Sequence, residues 1–233
     1  MNKPTRQFLS FMLLFLTASA SWSDAKAGIG GRPAHVGNFY FLLFDNDFDT
    51  HTAVLTTKNY AGDATGSNSY SSNVVIPATI EAENKYNEMT TYTVIGIDNY
   101  AFYGSTSIKS VIIPKTVVSI GKMAFEDCTS LDQITVDPEN QKYYTKDNVL
   151  YDFAQTELIV CAKTKTGKFT VPGDVQKIDE YAFQGCTEIT EIVLPNGLKN
   201  IEEGAFSGCS KLTSINIPSS LTSLGSSAFC GCI

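Results

Sequence analysis

The sequence predicts an α/β solenoid: a horseshoe of stacked 23-residue repeats, each with one short parallel β-strand, behind an N-terminal β-rich cap. Three observations predict it. The pair Ala-Phe recurs at Phe102, Phe125, Phe183, Phe206 and Phe229, at intervals of 23, 58, 23 and 23 residues. Counted from a proline, apolar residues then fall at fixed offsets. Pro195 leads through Leu198, Ile201, Ala205, Phe206, Cys209, Leu212, Ile215 and Ile217 to Pro218. Pro172 leads at the same offsets through Val175, Ile178, Ala182, Phe183, Cys186, Ile189, Ile192 and Leu194, and Pro114 follows the track from Val117 to Val136. Twenty-odd residues per unit are too few to bury a face alone, so such units are stable only when stacked.

The elements follow in chain order. Lys3 and Arg6 precede the apolar run Phe8 to Ala20, and Ala18-Ser19-Ala20 and Ala25-Lys26-Ala27 are small-x-small cleavage sites. Residues 1–27 therefore predict a signal peptide of bacterial type, too short for a comfortable membrane span, and hence a secreted or cell-surface protein. Residues 28–92 form the expected β-rich cap, with one strand ending at Pro77 and a Gly/Ser/Asn-rich mobile loop over Gly62–Ser72. Residues 93–233 are the repeats. In them "SVIIP", "EIVLP" and "SINIP" alternate inward and outward with β-branched residues, and Pro closes each strand because it cannot donate the next ladder hydrogen bond. "IDEYAFQGC" spaces Ile178, Tyr181 and Ala182 like two turns of helix that Gly185 stops. The 58-residue interval holds an enlarged rung at about 137–172, in which Asn148–Pro172 reads as a strand, a turn, a second strand and a third. The chain closes, at Cys232 and Ile233, on the helical part of a repeat whose strand is never written. That predicts truncation, or an end closed against a partner or a second copy.

The phrase I-x-x-x-A-F-x-x-C-x-x-L-x-x-I-x-I-P resembles the leucine-rich repeat of the BspA-like surface proteins, over roughly Thr93 to Ile233. It departs from the common leucine-rich pattern in placing Pro, not Asn or Cys, after the strand. The resemblance implies an exported, non-enzymatic module that mediates protein–protein interaction or adhesion at the cell surface, with an extracellular or host protein as partner. A carbohydrate-binding module is the alternative, and its aromatic candidates are Tyr103, Tyr143, Tyr144 and Tyr151.

Composition narrows the chemistry. Removal of residues 1–27 leaves 14 Lys and Arg against 23 Asp and Glu, a net charge of −9, which disfavours nucleic acid and anionic lipid. No further integral membrane segment and no cofactor are expected. With His35 and His51 as its two histidines, the chain has little from which to build a metal or catalytic centre. "FDNDFD" places Asp45, Asp47 and Asp49 at alternate positions but lacks the Gly and Glu of a calcium loop, so a solvated turn is expected. Cys128, Cys186, Cys209 and Cys232 each follow the Phe of an Ala-Phe pair by three residues and read as buried thiols in one column, although rung spacing also permits bridges. Cys161 and Cys230 stand outside the column and are the expected reactive thiols.

The expected working surface is the outward side of the strands: Ser110 and Ile112, Gln133 and Thr135, Glu191 and Val193, Ser214 and Asn216. It contains neither an obvious nucleophile nor paired acids. Rungs spaced by roughly 4.8 Å give a patch on the order of 400 Å², half of what one partner contributes to a standard interface. Binding through it is expected to be weak or multivalent.

Overall fold

The computed structural model describes residues 31–45, 51–57 and 70–232. The expected signal peptide, Asp47, Asp49 and residues 62–69 of the Gly/Ser stretch lie outside the described residues. Described residues form one compact unit.

The helical half of the expected fold is absent: among the described residues every regular element is a strand, so the architecture is a β-solenoid. The reason lies in the Ala-Phe segments. The residue before each Ala has a positive φ (Tyr100, Met123, Tyr181, Gly204, Ser227), as does the residue two after each Phe (Gly104, Asp127, Gly185, Gly208, Gly231). A left-handed residue every fourth position cannot propagate a right-handed helix. The segment becomes a run of overlapping turns. Ala182, Gln184 and Cys186 donate N–H to the carbonyls of Asp179, Tyr181 and Phe183, while Tyr181, Phe183 and Gly185 donate across to Glu203, Ala205 and Ser207 in the next rung. Every second N–H is spent locally and every other one between rungs, which satisfies the buried backbone without a helix.

The strands occupy two further sides of each rung. On the front run β4 (Asn73–Val75), β7 (Ser110–Ile113) and β9 (Gln133–Val136), then β13 (Gly167–Thr170), β15 (Ile189–Val193) and β17 (Ser214–Ile215). All pair in parallel, but as two separate three-stranded sheets, β4-β7-β9 and β13-β15-β17. The expected continuous front sheet is therefore broken at the enlarged rung. On the side, β6 (Met89–Ile97) pairs with β8 (Ser119–Ile120), and β12 (Glu157–Cys161) is followed by the two-residue strands β14 (Lys177–Ile178), β16 (Asn200–Ile201) and β18 (Ser223–Leu224). Each regular repeat thus carries two strands, not one.

The cap is a meander of β1 (Arg32–Val36), β2 (Phe39–Asp45) and β3 (His51–Thr56), with β5 (Thr79–Glu83) antiparallel to β6. It grades into the solenoid, because β3 pairs in parallel with β6 and β4 in parallel with β7. Asp45 does not sit in a solvated turn. Its side chain is 7% exposed and accepts bonds from the Tyr92 hydroxyl and the Lys85 N–H (3.0 Å), while His51 Nδ1 lies 3.0 Å away. Those partners hold its pKa below the usual carboxylate value against the opposing effect of burial. Tyr70, placed by the sequence in the mobile loop, is buried with its ring 5.0 Å from that of Phe102.

The enlarged rung divides the interior into two cores. One spans Phe41 to Val136, and the other is built largely from Val171 to Ala228. Between them lies an antiparallel hairpin of β10 (Tyr143–Lys146), β11 (Val149–Asp152) and β12. Strand alternation, offset by a bulge where the register shifts between Leu150 and Tyr151, lets it serve both: Leu150 and Val160 pack into the first core, and Val149, Tyr151, Leu158 and Cys161 into the second. Asn140, 1% exposed, ties the junction by donating to Pro114 O (2.9 Å) and Val117 O (3.0 Å) and accepting from the Lys142 and Tyr143 N–H groups. Tyr143 Oη accepts the Ile120 N–H at 2.9 Å, and burial pushes its pKa up to about 12.

Candidate functional site

Parallel register sets the outward residues of the front strands in rows. On the first sheet Asn73, Ser110 and Gln133 form one row, and Val75, Ile112 and Thr135 the next. On the second, Lys168, Glu191 and Ser214 form a row, with Thr170 beside Val193. Inward neighbours such as Val111, Ile134 and Ile192 are fully or almost fully buried, so alternation delivers the predicted residues to the outer face. The break between β9 and β13 separates the first four (Ser110, Ile112, Gln133, Thr135) from the last four (Glu191, Val193, Ser214, Asn216). The predicted surface is two small patches.

The patches differ chemically. Val75 (58% exposed) and Ile112 (42% exposed) are neighbours and give the first an apolar centre, flanked by the Ser110 Oγ–Asn73 Oδ1 bond of 2.9 Å and by Gln133. The second is polar, and its Glu191 is held by Lys168 Nζ at 2.8 Å. Asn216 is committed elsewhere: its amide accepts from Leu194 N–H (2.7 Å) and donates to Leu194 O (3.0 Å), capping the neighbouring rung's strand. Sequence reasoning missed Asn73, Val75, Lys168 and Thr170. A signal was present for the first two, since "NVVIP" repeats the β-branched run and Pro of "SVIIP". The second two lie in the enlarged rung, where the repeat offsets fail.

The aromatic candidates do not assemble into a platform. Tyr151 is buried and stacks with Tyr144 (ring centroids 5.2 Å apart), Tyr143 is engaged with Ile120, and Tyr103 packs edge-on to Tyr100 at 5.9 Å. Among the thiols, Cys128, Cys186 and Cys209 are buried, and Cys232 is partly so. Burial pushes Cys128 up to about 12 and likewise Cys209, which makes inert thiols of them. Cys161, expected to be reactive, is fully buried instead: it closes β12 against the second core, while Cys230 is exposed.

A shallow cleft opens where the enlarged rung omits its Ala-Phe arc. It is lined by Ile120, Met123 and Glu126 on one side and Ile159, Glu180 and Tyr181 on the other. Burial, with Asp127, Glu203 and Glu180 nearby, raises the Glu126 pKa to about 7. Lys122 Nζ pairs with Glu180 at 2.6 Å. Among the described residues no group of His, Cys, Asp or Glu is arranged to hold a metal, and no helix is long and apolar enough to cross a membrane.

Comparison with known proteins agrees with this geometry. A search of curated proteins finds no match. Among solved structures, a leucine-rich repeat protein from Eubacterium ventriosum is 21% identical, with a TM-score of 0.54 over 82% of this chain and 66% of its own length. That likeness shows a shared fold. A leucine-rich cell surface protein from Faecalibacterium prausnitzii is 19% identical over 87% of this chain and 80% of its own, at a TM-score of 0.48. The pneumococcal vaccine antigen PcpA is 16% identical over 83% and 72%, at 0.49. The family model described as the BspA type leucine-rich repeat region matches residues 81–164 and 159–233, in six copies. The match takes in the Ala-Phe arcs, the proline-closed strands from β7 onward and the hairpin rung, and on that ground the chain belongs to the BspA-type leucine-rich repeat family.

Proposed function

We propose that this is an exported, non-enzymatic adhesion module that binds an extracellular or host protein at the cell surface, with the front of the first sheet as its contact. The observation that carries the reading is the adjacent exposed pair Val75 and Ile112, framed by Asn73, Ser110, Gln133 and Thr135 on a rigid ladder. An apolar centre with a polar rim is the anatomy of a protein contact. Family membership supports an interaction role, and the leader-like residues 1–27 support export. Three short strands at roughly 4.8 Å spacing offer about 200 Å², far below the area one partner gives to a standard interface, so single contacts are weak and retention depends on many copies.

The test is a binding screen of the full chain against arrayed extracellular-matrix proteins and glycans, beside an Ile112→Ala/Gln133→Ala/Thr135→Ala variant of unchanged circular dichroism. Protein binding that weakens at least tenfold in the variant supports the reading. Protein binding indifferent to the three changes removes the site from this face, and binding to glycans alone replaces the proposal with a carbohydrate-recognition role.

A further inference from the structure

The cysteine column has one exception. Cys128, Cys209 and Cys232 each donate S–H to the carbonyl of the Phe one rung back, to Phe102, Phe183 and Phe206, all at 3.2 Å. Cys186 has no Phe carbonyl to meet, because the preceding rung is the one without an Ala-Phe arc. Its Sγ instead lies 3.9 Å from both Cys161 O and Ala162 O, a long and weak contact. The Cys161 thiol shares this neighbourhood: its Sγ lies 3.4 Å from Ala162 O, so the two sulfurs converge on one carbonyl oxygen. The backbones are fixed there, since Cys161 N–H donates to Ala182 O at 2.8 Å. Both residues are fully buried in the second core.

We propose that Cys161 and Cys186 are a disulfide-forming pair, a cross-link that fastens the hairpin rung to the first Ala-Phe rung of the second core. The oxidant is a disulfide, RSSR. The Cys186 thiolate attacks one of its sulfurs, forming a mixed disulfide and expelling RS⁻. The Cys161 thiol then loses its proton, attacks Cys186 Sγ and expels the second RS⁻. Two protons and two electrons pass from the protein to the oxidant, which leaves as two RSH. Because both thiols are sealed in the folded state, the bond forms during folding, before the second core closes. The other thiols of the column each donate to their own Phe carbonyl, whereas Cys161 and Cys186 meet at a single oxygen, Ala162 O, which marks them as the pair. Its nearest rival is Cys186 with Cys209, one rung further on.

The test refolds the full chain from its reduced, denatured state in a buffer of reduced and oxidised glutathione. Free thiols are then alkylated, and intact mass and peptide mapping locate any bridge; native chain held with oxidised glutathione is the parallel arm. The expected result is a folded species lighter by two hydrogens, with Cys161 and Cys186 in one linked peptide, and a melting temperature roughly 5 °C or more above the reduced form. Cys161→Ser loses the bridge and the gain, whereas Cys230→Ser keeps both. Six alkylatable thiols in folded protein from both arms overturns the proposal, as does a Cys186–Cys209 link in its place or a bridge that survives in Cys161→Ser.

Discussion

Gly204 stands at the left-handed position that opens each Ala-Phe arc, with φ at +60°, and a Cβ built on it would meet the Tyr181 ring at 2.3 Å. The same position one rung later is Ser227, also left-handed but exposed. Gly204→Ala is therefore expected to cost about 2 kcal/mol or more, from backbone strain and the collision together. Ser227→Gly, which relieves strain with nothing to displace, is expected to be neutral or to gain a few tenths of a kcal/mol. Urea denaturation of the two variants beside the parent chain checks both. Glu126 gives a residue-scale pH signature. Its pKa is raised from 4.5 to about 7 on folding, chiefly by burial, so the native state holds this proton where the unfolded chain has released it. Its contribution makes stability fall as pH rises from about 4.5 to about 7 and levels off above. The difference in melting temperature between pH 5 and pH 8 is expected to shrink in Glu126→Gln, and an unchanged difference would assign the slope to other groups.

The hairpin rung is the element on which the architecture turns. It interrupts both ladders, divides the core and replaces a missing arc with side-chain bonds, above all those of Asn140. Asn140→Ala strands two carbonyls and two N–H groups at a buried site and is expected to cost about 2–4 kcal/mol, with Tyr143→Phe costing about 1 kcal/mol by leaving the Ile120 N–H without its acceptor. Thermal unfolding followed by circular dichroism orders the two. The strands of the hairpin from Asn148 onward were legible in the sequence, because β-branched runs bounded by turn residues announce them. β10 and the role of Asn140 were not: "VDPEN" has the composition of an ordinary turn, and nothing in it says that the amide reaches back to Pro114 and Val117.

At the scale of the molecule, two cores share one hairpin and stability is expected to be distributed rung by rung. Phe206 is stacked between Phe183 and Phe229, with ring centroids 5.1 and 5.2 Å away, and has no exposed surface. Phe206→Ala is expected to cost about 3–5 kcal/mol and to speed hydrogen exchange across residues 171–228 while β7 and β9 keep most of their protection. Exchange that accelerates equally in both halves would show one cooperative unit. The division also bears on binding: eight predicted contact residues became two patches, and the amide of Asn216, which stays exposed, also serves Leu194.

The sequence by itself determined the repeat, its 23-residue pitch, the inward and outward alternation of the front strands and the column of buried thiols. Each of these follows from which residues recur at which offsets, and periodicity is a property of the chain. Tertiary structure decided the rest. The Ala-Phe arcs are turns and not helices because alternate N–H groups find carbonyls in the next rung, a partner that no local propensity can anticipate. The front sheet is broken, and Cys161 lies against Cys186 and not in solvent, because one rung lacks its arc. What fills the space left by a missing arc depends on packing between segments that are distant in sequence.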